Sequence, residues 1–200
     1  ARDLTADESA NFDAVIADGS QLSFEDNVTL TKQAVAYARQ TDRDVVVEGE
    51  LGYIGSSSKV LTELPASAAV AGDDLTSPDQ ARRFVVETGV DLLAPAVGNI
   101  HGMFKVGGDP RLDVERVKAI RAAVGVPLVL HGASGVNPEW VAMLQKRCDL
   151  IGDCLRLEGA RGVSDRVIKE AVKAGITKVN IDTDLRIAFT AGVRQALLND

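Results

Sequence analysis

The chain has 200 residues, of which 46% are hydrophobic and 26% charged, and its formal net charge is -7 at pH 7. This length suits about one domain with a sizeable apolar core. The acidic balance argues against nonspecific binding to nucleic acid or anionic membranes, although a small phosphorylated ligand needs only a local positive site. No apolar run approaches the roughly 18 residues that a membrane-spanning helix needs.

Five short apolar runs predict β-strands, and a helical pattern follows each of them. The runs contain little polar alternation, which is typical of parallel strands that are buried on both faces. They cover residues 13–18, 44–52, 91–98, 126–132 and 177–182. Repeated strand–helix units predict an α/β fold whose parallel sheet is either open or closed into an eight-stranded barrel.

The helices between these strands carry their own start signals. Ser77 is a predicted N-cap, Pro78 stands in the first helical turn, and Gln80 is the capping-box partner. Valine and isoleucine at helical spacing predict an amphipathic helix over 113–124. The other predicted helices cover about 24–40, 138–147, 163–174 and 185–198.

We expect one domain over residues 1–200 with two irregular segments. Residues 55–76 predict an active-site loop after the second strand, and residues 148–162 predict an insertion between two helices of one crossover. Cys148 and Cys154 are the only cysteines. In a chain without a visible secretory signal, they favour reduced thiols in a cytoplasmic protein.

Polar or ionisable side chains stand at the end of every predicted strand. Ligands of α/β sheets and barrels bind at the carboxyl ends of the strands, so these residues predict a functional rim. Two imidazoles with carboxylates nearby suit zinc or a similar divalent cation, whose third ligand would be Glu50, Asp18 or a group outside the chain. The rim residues are Asp18, Glu48, Glu50, His101, His131, Asn180 and Asp182.

Glycines and a hydroxyl group beside the two histidines predict an anion site. Gly102 and Gly132 directly follow the histidines and let backbone N–H groups approach an anion closely. Ser134 adds a hydroxyl group and Lys105 a positive charge, while "NIDTD" at 180–184 ends at a predicted helix N-terminus. Together they predict a phosphate cradle, and the alternative is that the glycines only turn strands into helices.

Five segments resemble the class II, zinc-dependent ketose-bisphosphate aldolases, a family typified by fructose-1,6-bisphosphate aldolase. The match runs in the right order over nearly the whole chain, and the last two segments are quite specific. The segments are "ADGSQLSFEDNVTLTKQ", "VEGELG", "VGNIHGMFK", "PLVLHGASG" and "KVNIDTDLRIAFT". The resemblance implies a (β/α)8 TIM barrel, of which this chain holds the fourth to eighth strands, assembled as a homodimer or higher homo-oligomer.

The resemblance also implies roles for matched residues. His101 and His131 match two of the three zinc ligands of the family, and Glu50 and Asp18 match acidic residues beside the metal or at its alternate positions. Asn180 matches the asparagine near the hydroxyl groups of dihydroxyacetone phosphate. The residues that match substrate and phosphate contacts are Gly102, Lys105, Gly132, Ser134, Asn180, Asp182 and Thr183.

Several features depart from the family pattern. The third zinc histidine and the catalytic aspartate belong to an "H-x-D-H"-like motif on the third strand, which this sequence lacks. The resemblance therefore implies that the catalytic aspartate lies upstream of Ala1, and no catalytic residue is assigned within the chain. Ser58 stands where the family loop has a proton-transferring glutamate, and Gln21 replaces a histidine. "GNIHG" in place of the commoner "GTSHG" indicates a subgroup whose substrate need not be fructose bisphosphate.

The implied activity is reversible, metal-dependent aldol cleavage of a ketose bisphosphate to dihydroxyacetone phosphate and an aldehyde, as in glycolysis. Zn²⁺ is the implied cofactor, with a monovalent cation as a second candidate. Schiff-base chemistry is not expected, because no lysine is recognised at the carboxyl end of a strand within an apolar run. The alternatives are a tagatose-bisphosphate-type aldolase, an inactive fragment or structural homologue, and a metal-free phosphate-binding barrel enzyme.

Overall fold

The computed structural model describes residues 13–40, 44–56, 60–61, 68, 72–104, 112–145 and 159–198. Strands and helices alternate through these ranges. The strands are β1 (Ala14–Asp18), β2 (Val46–Leu51), β3 (Val60–Leu61), β4 (Leu92–Pro95), β5 (Met103–Phe104), β6 (Leu128–Leu130) and β7 (Ile176–Val179). The helices are α1 (Phe24–Arg39), α2 (Pro78–Thr88), α3 (Val114–Ala123), α4 (Pro138–Gln145), α5 (Asp165–Ala174) and α6 (Thr183–Leu198).

Five strands form one parallel sheet in the order β1–β2–β4–β6–β7. All five predicted strands are present, and each pairs with the next predicted strand along the chain. The register joins Ala14 to Val46 at one end of the first pair and Asp18 to Glu50 at the other. Side chains at the ends of neighbouring strands therefore meet at one edge of the sheet. The predicted α/β fold with parallel strands is confirmed.

The start of α2 shows how local sequence sets a helix boundary. The Ser77 hydroxyl oxygen accepts from the backbone N–H of Gln80, and the Gln80 side chain accepts from the backbone N–H of Ser77. Pro78 occupies the first turn, where its missing N–H costs nothing. Gly89 ends the helix with a left-handed φ of 72°. The predicted capping box is confirmed.

The main core lies between the sheet and the helices that cover it. Val47, Leu93 and Leu128 of the sheet are fully buried against Phe84 of α2 and Ile120 of α3. Each such side chain contributes about 1.5–3 kcal/mol of hydrophobic stabilisation. A β-carbon at position 49 would collide with the Phe84 ring, so glycine is needed there for α2 to approach β2. This packing holds the strand ends in place.

A second cluster joins α4 and α6 beside the sheet. Its buried members are Met103, Val136, Val141, Leu144, Ile187 and Ala191. Met103 belongs to β5, which pairs with β3 in a separate two-stranded parallel sheet that the sequence did not predict. This small sheet connects the loop after β2 to the segment after β4.

The predicted irregular segment at 55–76 is described only in part, and the described part is anchored. The Thr76 hydroxyl donates to the Leu51 carbonyl and accepts from the Ala96 backbone N–H, which ties the end of the segment to β2 and to the residue after β4. Arg116 of α3 donates to the carbonyls of Gly72, Leu75 and Thr76. Most of the predicted insertion, with both cysteines, lies outside the described residues.

Among the described residues, none of the helices combines the length and apolar character that crossing a membrane requires.

Candidate active site

The segments that follow the strands of the main sheet line a cavity of about 600 Å³. Most of the residues that the sequence singled out for the site meet there, whereas their chemical roles stay predictions. Those lining the cavity are His101, Gly102, His131, Gly132, Ser134, Asn180, Asp182 and Thr183.

Three positions of the predicted site cannot be placed at this rim. Lys105, Ser58 and Ala1 lie outside the described residues. Lys105 as a phosphate contact and Ser58 as a replacement for the family glutamate therefore stay predictions. The same holds for the position of the catalytic aspartate upstream of Ala1, which no contact of the described residues tests.

His131 is buried and bonded through Nε2 to a carboxylate of β2, from which β6 is separated by β4 in the sheet. Its Nε2 lies 2.5 Å from Glu48 Oε1, and the other oxygen of Glu48 accepts from Lys178 Nζ at 2.6 Å. Asn180 Nδ2 lies 3.0 Å from the same Nε2. On the opposite side of the ring, Nδ1 lies 3.5 Å from Glu50 Oε2. Glu48 and Glu50 reach the ring together because residues two apart on a strand share a face.

These contacts set the charges at the centre of the site. Burial acts to raise the pKa of Glu48, but the hydrogen bonds from His131 and Lys178 outweigh it, so the pKa lies below its ordinary value. Burial acts to lower the pKa of His131, yet the hydrogen bond to Glu48 and the charges of Glu50 and Glu48 raise it overall. Glu48 is therefore the anion that holds His131 through its Nε2–H.

The second histidine is anchored by the backbone that follows β2. His101 Nδ1 lies 2.7 Å from the Gly55 carbonyl oxygen, which fixes Nδ1–H as the donor, and the His101 backbone N–H donates to Ile54. The ring centroids of His101 and His131 are 5.8 Å apart. Each imidazole thus has one nitrogen held by an oxygen acceptor, an arrangement that orients metal-binding histidines in proteins.

Glu50 is a buried carboxyl group beside His131 with a raised pKa. Desolvation raises this pKa to about 7, with further contributions from the charges of Asp18 and Glu48 against the lowering effect of His131. Asp18, its neighbour in the sheet, accepts from the backbone N–H and hydroxyl of Ser20. Asp18 therefore caps the turn after β1 beside Glu50.

The raised pKa of Glu50 predicts a pH-dependent stability. Between its unfolded value of 4.5 and about 7, the folded state binds more protons at Glu50 than the unfolded state does, so Glu50 lowers the free energy of unfolding as the pH rises. Glu50→Gln removes this effect. We expect the free energy of unfolding of the variant minus that of wild type to be about 2–3 kcal/mol higher at pH 8 than at pH 5.

Urea unfolding of the full-length gene product and of its Glu50→Gln variant at the two pH values measures this difference. Glu139→Gln serves as the control, because Glu139 is an exposed carboxyl group on α4. A Glu50→Gln gain that is equal at both pH values would show that Glu50 ionises in the folded state as it does in the unfolded chain.

The far end of the cavity is built around the N-terminus of α6. The Ser134 hydroxyl oxygen accepts from the backbone N–H groups of Thr183 at 3.1 Å and Asp182 at 3.3 Å. These N–H groups stand at the N-terminus of α6, where the helix dipole favours an anion. Ser134 and the start of α6 therefore face the same space, as the predicted phosphate cradle requires.

The loop that carries Ser134 has a strained residue that no sequence pattern indicates. Val136 has a φ of 54°, an uncommon conformation for a β-branched side chain. The Asp184 carboxylate spans it, accepting from the N–H of Gly135 at 2.6 Å and of Asn137 at 3.2 Å. Asp184 thus fixes the loop against α6. The second aspartate of "NIDTD" is the only sequence signal for this contact.

The sequence analysis did not single out Lys178 as a site residue. It lies in β7 between Thr177 and Val179, and its Nζ contacts Glu48. The apolar pattern does not reveal it, because a single charged residue inside a strand interrupts the run. In the structure it is the cation that balances a buried carboxylate.

Comparison with known proteins agrees with this geometry. A family model described as fructose-bisphosphate aldolase class-II matches residues 2–200. The chain belongs to the class II fructose-bisphosphate aldolase family. A fructose-bisphosphate aldolase of Helicobacter pylori strain J99 is 40% identical over 191 residues, covering 96% of this chain and 58% of the relative. One of Thermus caldophilus is 41% identical over 188 residues, covering 93% and 57%.

A solved aldolase structure has the same arrangement of strands and helices. The YdjI aldolase from Escherichia coli K12 aligns with a TM-score of 0.63 and 35% identity, covering 94% of this chain and 52% of that protein. The five parallel strands are thus part of an aldolase TIM barrel. The chain spans little more than half the length of these relatives. The similarity therefore shows the family of the chain and not the activity of a whole aldolase.

The site offers some, but not all, of the donor atoms that the metal ion of the aldolase family needs. Both imidazoles have one nitrogen anchored by oxygen, which leaves His101 Nε2 and His131 Nδ1 as ligand atoms, with Glu50 next to the latter. Within the described ranges, no cluster of three or more His, Cys, Asp or Glu is spaced to hold a metal. His101 and His131 therefore fit as two ligands of a larger set.

Proposed function

We propose that this chain forms the metal-binding and phosphate-binding rim of a class II aldolase, which reversibly cleaves a ketose bisphosphate of the fructose 1,6-bisphosphate type. The products are dihydroxyacetone phosphate and an aldehyde. One observation carries the proposal: two anchored imidazoles and the N-terminus of α6 face the same cavity. A sugar phosphate has a carbonyl group and a phosphate group at a separation that such a cavity can hold.

His101 and His131 are the proposed protein ligands of a divalent cation, and Zn²⁺ is the proposed ion because imidazole nitrogen is among its preferred ligands. The bound cation supplies Lewis-acid polarisation of the substrate carbonyl. Glu50 is a candidate further ligand, since its carboxylate lies beside His131 Nδ1. Glu48 and Lys178 keep His131 in the tautomer with the proton on Nε2.

The proposed phosphate seat consists of Ser134, Gly132 and the first residues of α6. Ser134 would donate its hydroxyl proton to a phosphate oxygen, while the N–H groups of Asp182 and Thr183 supply the favourable end of the helix dipole. Asn180 stands between this seat and His131, within reach of hydroxyl groups next to the carbonyl. Gly102 and Lys105 are further proposed contacts of the substrate.

Proton transfer to and from the C4 hydroxyl group is not assigned to a residue of this chain. The proposed aldol cleavage breaks the C3–C4 bond as a base removes the C4 hydroxyl proton, and the electron pair stays on the dihydroxyacetone phosphate part. For this reason we do not expect the 200-residue chain alone to cleave a sugar phosphate at an appreciable rate.

The full-length product of the gene that encodes this chain tests the proposal. We expect it to cleave fructose 1,6-bisphosphate or its C4 epimer tagatose 1,6-bisphosphate, to lose activity with a chelator, and to regain it with Zn²⁺. Activity that survives chelation, and is lost when borohydride is added together with substrate, would instead show Schiff-base chemistry. Complete absence of cleavage with both substrates would favour a non-catalytic homologue.

A further inference from the structure

Asn99 is a buried polar residue two positions before His101, and the proposed function leaves it without a role. It is 1% exposed and is not among the residues that line the cavity. Its Oδ1 accepts from the Val97 backbone N–H at 2.8 Å, and its Nδ2 donates to the His131 backbone carbonyl at 3.1 Å. Both ends of the amide are therefore bonded to backbone, one on each of the two histidine-bearing segments.

A second feature brings the same two segments into contact. Gly132 has a φ of 62°, and a β-carbon there would collide with the carbonyl group of Ile100. The backbone after β6 thus packs directly on the backbone between Asn99 and His101. Glycine permits this approach, and the Asn99 amide fixes its register.

The remaining anchors hold each imidazole to a different part of the β2 segment. His101 is bonded to the residues after β2 through its ring and its backbone N–H, and the His131 ring is bonded to Glu48 within β2. None of these bonds joins the two histidine segments directly to each other. The Asn99 side chain does, and it spans from the backbone before His101 to the backbone of His131.

We propose that Asn99 is a positioning residue that sets the spacing and relative orientation of the His101 and His131 imidazoles, and through them the affinity and geometry of a bound divalent cation. This inference rests on the proposed function. Metal–ligand distances tolerate errors of only about 0.2 Å. A small shift between the two segments is therefore felt as lost affinity, and outer residues that orient ligands typically contribute about 10–100-fold.

The chemistry of the amide explains why an apolar side chain of similar size is not an equivalent. Oδ1 accepts while Nδ2 donates, from two atoms that point to different segments. Leucine at this position keeps the volume of the side chain and loses both bonds. Aspartate keeps the acceptor but sets a carboxylate oxygen against the His131 carbonyl.

The test compares Asn99→Leu and Asn99→Ala with wild type in the full-length gene product. We expect both variants to bind Co²⁺ and Zn²⁺ about 10–100-fold more weakly. We also expect a changed visible absorption spectrum of bound Co²⁺, which reports the coordination geometry. Thr76→Val is the matched control, because Thr76 is a similarly buried side chain that bridges two backbone segments and contacts neither histidine.

A purely structural role for Asn99 would lower stability in both Asn99 variants and in Thr76→Val alike, with metal affinity and the Co²⁺ spectrum unchanged in all three. Affinity and spectrum indistinguishable from those of wild type, measured well below the melting temperature, overturn the proposal. If Asn99→Ala does not fold, Asn99→Leu decides alone, because it retains the volume of the side chain.

A separate readout distinguishes failure of this inference from failure of the proposed function. If wild type binds neither metal ion, the proposed function is wrong. The effect of Asn99 on the two imidazole rings can then still be measured in the metal-free protein. Long-range ¹H–¹⁵N spectra report the two imidazole rings. The ring signals of both histidines should shift in the Asn99 variants and stay in place in Thr76→Val. Unchanged ring signals in Asn99→Leu contradict the inference.

Discussion

Replacement of His131 by alanine is expected to weaken Zn²⁺ binding by the full-length gene product on the order of 100-fold or more. This corresponds to about 3 kcal/mol of binding free energy. The variant removes a proposed ligand and at the same time leaves Glu48 and Lys178 paired with each other, so the fold around the site retains its main ion pair. His101→Ala is expected to have an effect of the same order, because the two imidazoles face the same cavity.

Competition against a chromophoric chelator measures these affinities, with Glu139→Gln on the outer surface as the control. Circular dichroism of each variant shows whether the fold is retained at the temperature of the titration. An affinity equal to that of wild type for either histidine variant would remove that histidine from the ligand set.

The isolated 200-residue chain is expected to self-associate or to melt without a sharp transition. Among the described residues, β1 and β7 each have a single neighbour in the sheet, so both expose unpaired backbone groups along one side. Ile16 of β1 is 50% exposed. A few hundred Å² of exposed apolar surface forfeits several kcal/mol at about 25 cal/mol per Å², which is comparable with the whole stability of a domain.

Helix α6 adds to this expectation through an exposed apolar stripe. Leu185, Phe189, Val193 and Leu197 recur every four residues on one side of the helix, and Phe189 is 75% exposed. Apolar patches of this kind promote association. Phe189→Ser together with Leu197→Ser should therefore reduce self-association while leaving the cavity unchanged.

Sedimentation velocity over a range of concentrations, together with thermal unfolding, measures both effects. The paired serine variant is the internal control for the contribution of α6 relative to the sheet edges. A monomeric species with a single sharp transition would show that the exposed strands and helix face are compatible with an independently stable unit.

The parts of the fold that were predictable from the sequence depend on local patterns. Local sequence predicts the five strands from their apolar runs and the start of α2 from the Ser77–Gln80 capping box. It does so because these strand and helix-cap signals involve residues close together in the chain. The positions of the strand ends were predicted less accurately. The run at 126–132 contains only three strand residues, since the chain turns at His131 and Gly132 to form the rim.

The site was predictable as a set of residues and not as a set of contacts. His101 and His131 stood out because they follow apolar runs, and Ser134 because its hydroxyl group lies beside glycines. No local pattern pairs Glu48 with Lys178, which lie 130 residues apart. The contact of Asp184 with the loop around Val136 likewise joins distant segments. Such contacts depend on the register of β2, β6 and β7, which a single sequence does not display.

Anomalous diffraction at the zinc absorption edge, from crystals of the full-length gene product grown with Zn²⁺, tests the central claim most directly. In the proposed site the ligand atoms are His101 Nε2 and His131 Nδ1, because Gly55 and Glu48 hold the other nitrogens. The account predicts one peak about 2.0–2.1 Å from both atoms. An anomalous peak at other residues, or a fully occupied zinc ion in the cavity without contact to either imidazole, would contradict it.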